Sequence, residues 1–412
     1  MNIGLLGGAF DPWHDGHESL VRGALDSGIV DAVIVIPSGR NPFKTGRTMS
    51  AAPYRYYMVK EALEAGFKGE NVFLSDIEFM YSGMSFTLTT IKEISKVSYI
   101  RTFLKSNGIK DSKADQKHTF FWITGSDVLP AFERWHEADK ILGLVSLLVA
   151  DRPGDGVDIN EQIVRLESVF GFRPDIKVFG IKGVEAASSA MKKASDYNKT
   201  SDIVREFIKI HDLYNPKKSL DLVSDETAGK FYEYSIKLYR FLGQKRLLHT
   251  INTGLLSLEY ASIYDRSICD QALIAGLLHD CAKEMDEEQQ RSMARELAGD
   301  LFEDKKLLHS PAGAVMARRE FGETDPGILD AITYHTTGRG NMTLLEKIVY
   351  LADKLEPSRT YTDLSEDRTL AVTDIDEALR RCVLRVKKKF DSRGINIHPL
   401  TVDFMNDIGI MN

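Results

Sequence analysis

Along the first 215 positions the apolar residues fall into short runs, separated by segments of helical spacing. Ile3-Gly4-Leu5-Leu6 is one run, ended by Gly7-Gly8. Ala32 to Pro37 (AVIVIP) is another, closed by proline. Runs at Val72 to Ile77, Phe120 to Thr124, Leu144 to Ala150 and Ile176 to Phe179 predict further buried strands. Between them, His17 to Ser27 places Leu20, Val21, Ala24 and Leu25 on one helical face. Pro53 to Ala65 and Thr87 to Ile94 also read as helices. Such alternation predicts an α/β domain with a doubly wound parallel sheet, whose ligands sit beyond the carboxyl ends of the strands. Gly7-Gly8 and Gly125-Ser126-Asp127 lie at two such ends. Ile100 to Lys117 is polar and lysine-rich and predicts an inserted surface loop.

From Thr227 onward the strand signals stop. Helical patterns cover Phe231 to Phe241, His249 to Ala261, Ser267 to His279, Gln289 to Ala298, Pro311 to Phe321, Leu344 to Leu355 and Asp374 to Lys389. This half is expected to be an all-α bundle. Residues 216–226 are polar, begin with proline and predict a linker, so the expected domains are 1–215 and 227–412. The basic run Arg385 to Lys389 reads as the solvated face of a helix.

Composition narrows the partners. The 412 residues suit two or three domains at roughly 100–200 residues each. A net charge of -7 argues against a general nucleic-acid binder. The three cysteines (Cys269, Cys281, Cys382) contain no CxxC pair and suit a reducing compartment, with Cys281 read as core. The start, MNIGLLGGAF, has no basic region or cleavage site of a signal peptide. The longest apolar run, Ile141 to Ala150, falls short of the roughly 18 residues a membrane span needs. A cytoplasmic protein without nucleic-acid or membrane partners is expected; a homo-oligomer stays open.

Two clusters carry chemistry. In GGAFDPWHDGH (Gly7 to His17) a strand ends in glycines, where backbone N–H groups can approach a phosphate without an intervening Cβ. The following helix offers free N–H groups and the positive end of its dipole. His14 and His17, three apart, can face one anion there. The second cluster comprises His249, His279, Asp280, His309, His335 and Asp353, spread over separate helices and flanked by apolar residues. Bundles build metal centres from inward side chains of this kind. Imidazoles with carboxylates suit iron, manganese or zinc rather than calcium, and Asp280 can bridge two ions.

The first cluster resembles the HxGH nucleotidyltransferases, and within them the nicotinate-mononucleotide adenylyltransferases. The resemblance runs over residues 1–214 and includes Pro42-Phe43-Lys44, Ser75-Asp76-Ile77-Glu78, Ser85-Phe86-Thr87, Gly125-Ser126-Asp127, Arg134-Trp135-His136, Asp151-Arg152-Pro153-Gly154 and His211-Asp212-Leu213-Tyr214. It implies that nicotinate mononucleotide attacks the α-phosphorus of ATP and pyrophosphate leaves, with Mg²⁺ bridging phosphates. His14, His17 and Lys44 would act on the phosphates. Gly7, Gly8, Phe10, Gly125, Asp127, Ser188, Ser189 and Lys193 would complete the ATP site. Ser85, Thr87 and Trp135 would contact the nicotinate side. One departure stands out: where that family has Ser-Ser-Thr-x-Ile-Arg, this chain has Ser188-Ser189-Ala190-Met191-Lys192-Lys193. Losing the threonine hydroxyl and the bidentate arginine costs roughly 1–3 kcal/mol each, about one to four decades of rate together. A slowed transferase is expected; the rival is a nucleotide-sensing module that regulates the second domain.

The second cluster resembles the HD superfamily of metal phosphohydrolases, whose minimal set is a His, an adjacent His-Asp and a distant Asp. The strings Gly276 to Lys283 (GLLHDCAK), Tyr334 to Arg339 (YHTTGR) and Ala352 to Arg359 (ADKLEPSR) narrow it, over about residues 230–405, to the bacterial hydrolases that split diadenosine tetraphosphate into two ADP. The resemblance implies two metal ions, usually iron. It gives Asp280 and Lys283 catalytic roles, and has Lys283, Arg339 and Arg359 neutralise the polyphosphate. His118, His136, His211 and His398 fall outside both clusters and read as structural.

Overall fold

The computed structural model describes the chain except residues 41–48, 81–83, 153–155, 182–187, 361–362, 395 and 412. It forms two compact units, Met1–Phe207 and Ile208–Asn412.

The first unit is built on six parallel strands: β1 (Asn2–Gly8), β2 (Ala32–Pro37), β3 (Val72–Leu74), β4 (Thr119–Gly125), β5 (Ser146–Asp151) and β6 (Ile176–Gly180). Their order is β3-β2-β1-β4-β5-β6. All six residues of β2 are buried, as a strand covered on both faces requires. Chain direction across the sheet reverses between β1 and β4, where Leu5 pairs with Trp122. The crevice at such a switch point is where ligands bind in open α/β sheets. Gly7 opens it for a different reason than the sequence suggests. A Cβ there would stand 2.4 Å from the Trp122 ring, so the glycine makes room for core packing.

The lysine-rich stretch is not a loop. Val97–Ser106 and Asp111–Ala114 are helical, and Ile100, Leu104 and Ala114 join the core. Ile100 and Leu104 are four residues apart, so one helical face is apolar although the composition is polar. The strand expected over Val72 to Ile77 stops at Leu74, since Ser75 Oγ accepts the Ile77 N–H at 3.2 Å and starts a tight turn.

The second unit is helical. Its site is framed by α2 (Gln244–Tyr264), α3 (Cys269–Leu278), α4 (His309–Phe321), α5 (Pro326–Tyr334) and α6 (Leu344–Leu355), with α1 (Asp15–Asp26) belonging to the first unit. α5 was not evident from periodicity; Asp325 caps it and Pro326 opens it. α2 and α3 approach closely through two glycines. A Cβ on Gly254 would lie 2.9 Å from Leu273 O, and one on Gly276 2.8 Å from Gly254 Cα. Residues 216–226, expected as a linker, carry two short turns, Pro216–Lys218 and Leu220–Leu222, with Lys218, Leu220 and Val223 buried in the second unit. Among the described residues no helix is long and apolar enough to cross a membrane.

Candidate nucleotide site and candidate metal centre

In the first unit the chain leaves β1, turns at Phe10 with a left-handed φ of 49° and enters α1 with extended His14 at its cap. The His14 N–H donates to His17 Nδ1 at 3.2 Å, so a neutral His17 carries its proton on Nε2. The two rings stack with centroids 3.7 Å apart. His17 is also stacked on Trp13 and edged by Phe10, whose ring is buried against both. His14 is buried, and its Nδ1 has no hydrogen-bond partner among the described residues. Burial, aided by the Arg152 charge, lowers its pKa to about 4. His14 is therefore neutral at pH 7.

That depressed pKa has a consequence for stability. Unfolded His14 takes up a proton near pH 6.5, whereas folded His14 refuses it until about pH 4. Folded-state stability therefore falls as pH drops through that window, by up to about 3 kcal/mol from this residue. Urea unfolding of the first unit at pH 7 and pH 4.5 should show the loss, and His14→Asn should reduce it. Equal pH dependence in the variant would remove His14 as the cause.

After β4, Asp127 meets Arg152, which follows β5, at 3.4 Å. Gly125 lies beneath this pair: a Cβ there would fall 2.3 Å from Asp127 Oδ1. Arg152, one residue of the Asp151-Arg152-Pro153-Gly154 motif, is a cation that acts on His14. Ser85 is buried and accepts the Arg40 N–H at 3.0 Å; Thr87 opens the helix Thr87–Ile94. Trp135 packs edge-on to Trp122 and against Phe132, beside the core. Ser188 Oγ donates to Pro12 O at 3.2 Å. Ser189 and Lys193 are exposed, while Lys192 reaches buried Asp11 at 2.8 Å. Lys44 lies outside the described residues. Buried Arg55, unnoticed in the sequence, bonds Ala9 O, Ser38 O, Gly39 O and Ser50 O and so ties the loops after β1 and β2 together.

In the second unit His249, His279, Asp280, His309, His335 and Asp353 converge. Three overlapping groups of them have ligand atoms within 4.8 Å of one another. His279 and His335 each stand one residue past a helix end, on α3 and α5. Helix ends leave carbonyls without intrahelical partners. His279 Nδ1 bonds Gly276 O, and His335 Nδ1 bonds Ile332 O, both at 2.7 Å. A carbonyl can only accept, so both Nδ1 atoms are protonated, which in the neutral ligand form leaves the lone pairs on Nε2. His249 uses Nδ1 toward Glu356 Oε1 at 3.0 Å, the carboxylate–imidazole arrangement that orients metal ligands.

Asp280 sits at the centre, buried. Its Oδ1 is 3.3 Å from His309 Nε2 and 3.5 Å from His335 Nε2. Its Oδ2 is 3.6 Å from His279 Nε2 and 3.9 Å from His249 Nε2. Asp353 Oδ1 lies 3.1 Å from His249 Nε2 and 3.7 Å from His279 Nε2. Burial works against both carboxylates ionising, but the surrounding imidazoles, and Lys354 beside Asp353, hold both well below the usual range. Burial, with Lys283 and neighbouring imidazoles, holds His309 well below the usual imidazole range, in its neutral ligand form.

These residues fit a divalent ion. Among the described residues His279 Nε2 and Asp280 Oδ1 are buried without a hydrogen-bond partner, an uncommon condition that coordination would relieve. Arg246, one turn before His249, bonds Asp280 Oδ2, and Arg359 bonds Asp353 Oδ1 at 2.8 Å. Lys283 Nζ stands about 3 Å from both ring nitrogens of His309. Arg339 is paired instead with Glu346 and Asp330 and lies over the Tyr334 ring. Sequence reasoning missed Arg246 and Glu356. The i−3 position of Arg246 relative to His249 was a usable signal; Glu356 had none beyond its place in ADKLEPSR.

Comparison with known proteins divides the chain in the same place. The family model of cytidylyltransferase-like proteins matches residues 5–206, and that of the HD domain matches residues 246–358. A symmetrical bis(5'-nucleosyl)-tetraphosphatase of Halalkalibacterium halodurans is 35% identical over 170 residues, 40% of this chain and 90% of the relative. A probable nicotinate-nucleotide adenylyltransferase of Desulfitobacterium hafniense is 30% identical over 193 residues, 46% of this chain and 82% of the relative. A probable nicotinate-nucleotide adenylyltransferase/Ap4A hydrolase of Mycoplasma pneumoniae is 24% identical over 359 residues, 87% of this chain and 90% of the relative.

Proposed function

We propose a bifunctional enzyme from one premise: the chain belongs in its first half to the nicotinate-nucleotide adenylyltransferase family and in its second to the HD-domain symmetrical bis(5'-nucleosyl)-tetraphosphatases. Residues 1–215 transfer AMP from ATP to nicotinate mononucleotide, giving the dinucleotide precursor of NAD and pyrophosphate. Residues 227–412 split diadenosine tetraphosphate into two ADP.

For the transferase, an acceptor phosphate oxygen attacks the α-phosphorus, the α–β anhydride bond breaks and pyrophosphate departs. The chain supplies no nucleophile. His17 Nε2–H donates to the phosphates, and His14 and Arg152 face the same mouth. Such preorganised donors act on charge that grows as the bond breaks. Mg²⁺ on the triphosphate and Lys44 complete our reading. Ser85, Thr87 and Trp135 are assigned to the acceptor side.

For the hydrolase, the carrying observation is the central carboxylate, whose two oxygens face different imidazole pairs. A divalent metal bound there supplies Lewis acidity and an acidified water. His249, His279, Asp280 and Asp353 would hold one ion, and Asp280, His309 and His335 a second. Lys283, Arg246 and Arg359 offset the polyphosphate charge. We infer iron, with manganese or zinc as the alternatives this donor set accepts. The three buried thiols fit a cytoplasmic enzyme.

The test gives purified protein diadenosine tetraphosphate, and separately nicotinate mononucleotide with ATP and Mg²⁺. The expected products are ADP alone in the first case and pyrophosphate in the second. Prior chelation should stop the first reaction and lower the melting temperature of the second unit. Metal at a thousandfold over its Kd stabilises the native state by about 4 kcal/mol. Formation of ATP plus AMP in equal amounts would overturn symmetrical cleavage. Hydrolysis that survives chelation would overturn the metal centre.

A further inference from the structure

Glu356 orients His249, but Glu356 is itself held from behind. Its Oε2 accepts the Asn252 Nδ2 donor at 2.8 Å. The same Nδ2 contacts His211 Nδ1 at 3.1 Å. All four side chains, His211, Asn252, Glu356 and His249, are buried. Asn252 follows His249 by three residues on α2, so both project from one face. His211 comes from outside the HD-domain match at residues 246–358. It lies in the stretch whose sequence resembles the transferases, yet in the structure it belongs to the second unit.

We infer that His211 is a positioning residue of the hydrolase, fixing the Asn252 amide so that Glu356 aligns His249 for metal binding. The inference rests on the hydrolase reading above. Its logic is a choice between two amide orientations. With Nδ2 toward Glu356, one amide N–H serves the carboxylate and the other serves His211 Nδ1. Turned over, Asn252 would set its carbonyl oxygen against a carboxylate, acceptor against acceptor. An acceptor at position 211 favours the first orientation. Burial lowers the His211 pKa to about 4, in keeping with a neutral ring whose Nδ1 accepts. Partners behind a metal-bound histidine typically change metal affinity or activity by 10–100-fold when lost.

The test uses the full-length protein stripped by chelator and titrated with Mn²⁺, alongside diadenosine tetraphosphate hydrolysis. His211→Leu is expected to weaken Mn²⁺ binding by roughly tenfold or more and to lower kcat with little change in KM. His211→Asn keeps an acceptor near the Nδ1 position and is expected to restore most of the affinity. Asn252→Ser removes the same donor from Glu356. It should reproduce the loss, and it carries the question if His211→Leu does not fold. Wild-type affinity in the leucine variant, or an asparagine variant as weak as the leucine one, would overturn the inference while leaving the hydrolase reading intact. A wild-type protein that neither binds Mn²⁺ nor cleaves the substrate would overturn both.

Discussion

Asp280→Asn removes measurable diadenosine tetraphosphate hydrolysis and leaves adenylyl transfer within about twofold of wild type. This is the largest single-residue effect expected in the second unit, and it follows from the placement of one carboxylate. Asp280 is buried, with His309 and His335 on one oxygen and His279 and His249 on the other. Arg246 also bonds it. Asparagine keeps the shape and loses the charge. It also turns an amide N–H, which cannot ligate, toward the position a metal would take. Breaking a buried charged pair costs roughly 3–5 kcal/mol, which is about two to four decades in affinity. Metal analysis of the purified variant should find the site depleted. A variant that retains full metal and wild-type turnover would mean that Asp280 is not the shared ligand.

The second large effect lies in the other unit. His17→Ala is expected to lower adenylyl transfer by about a thousandfold and to leave hydrolysis intact. Removing one preorganised donor to a developing anion costs about 10²–10³ in kcat. His17 also supplies the ring on which His14 stacks and the acceptor for the His14 backbone N–H. The alanine variant therefore loosens the helix mouth as well as deleting a donor. Steady-state pyrophosphate release, read with hydrolysis on the same preparation, separates the two activities. Loss of less than tenfold would assign the phosphates to Arg152 and the backbone instead.

How far the chain could be read without its structure differs by element. Thr87–Ile94 and Leu344–Leu355 were legible to the residue. Their apolar spacing agrees with burial in the fold, and a capping box of Thr343 and Glu346 marks the start of the second. Ile100 to Lys117 was misread because its lysines dominate the composition while a few residues, Ile100, Leu104 and Ala114, carry the core contact. The expected linker fails similarly, since Leu220 and Val223 in a polar stretch bury in the second unit, together with Lys218. At the expected phosphate-binding segment, the lysine next to the one named is the residue that reaches Asp11.

The sequence by itself determined what local neighbours decide: the strand and helix periods, the glycine turn before His14, and the chemistry of six side chains suited to a transition metal. Only the tertiary structure decided which atoms of those side chains are available. Carbonyls at two helix ends take the Nδ1 protons of His279 and His335 and leave Nε2 facing inward. Two facing glycines let α2 and α3 come close. Glu356 reaches His249 across 107 residues of chain, and His211 joins the same unit from outside the matched domain. Periodicity reports contacts within a few turns. Meetings across such distances depend on how packed helices dispose their ends, which no short window of sequence records.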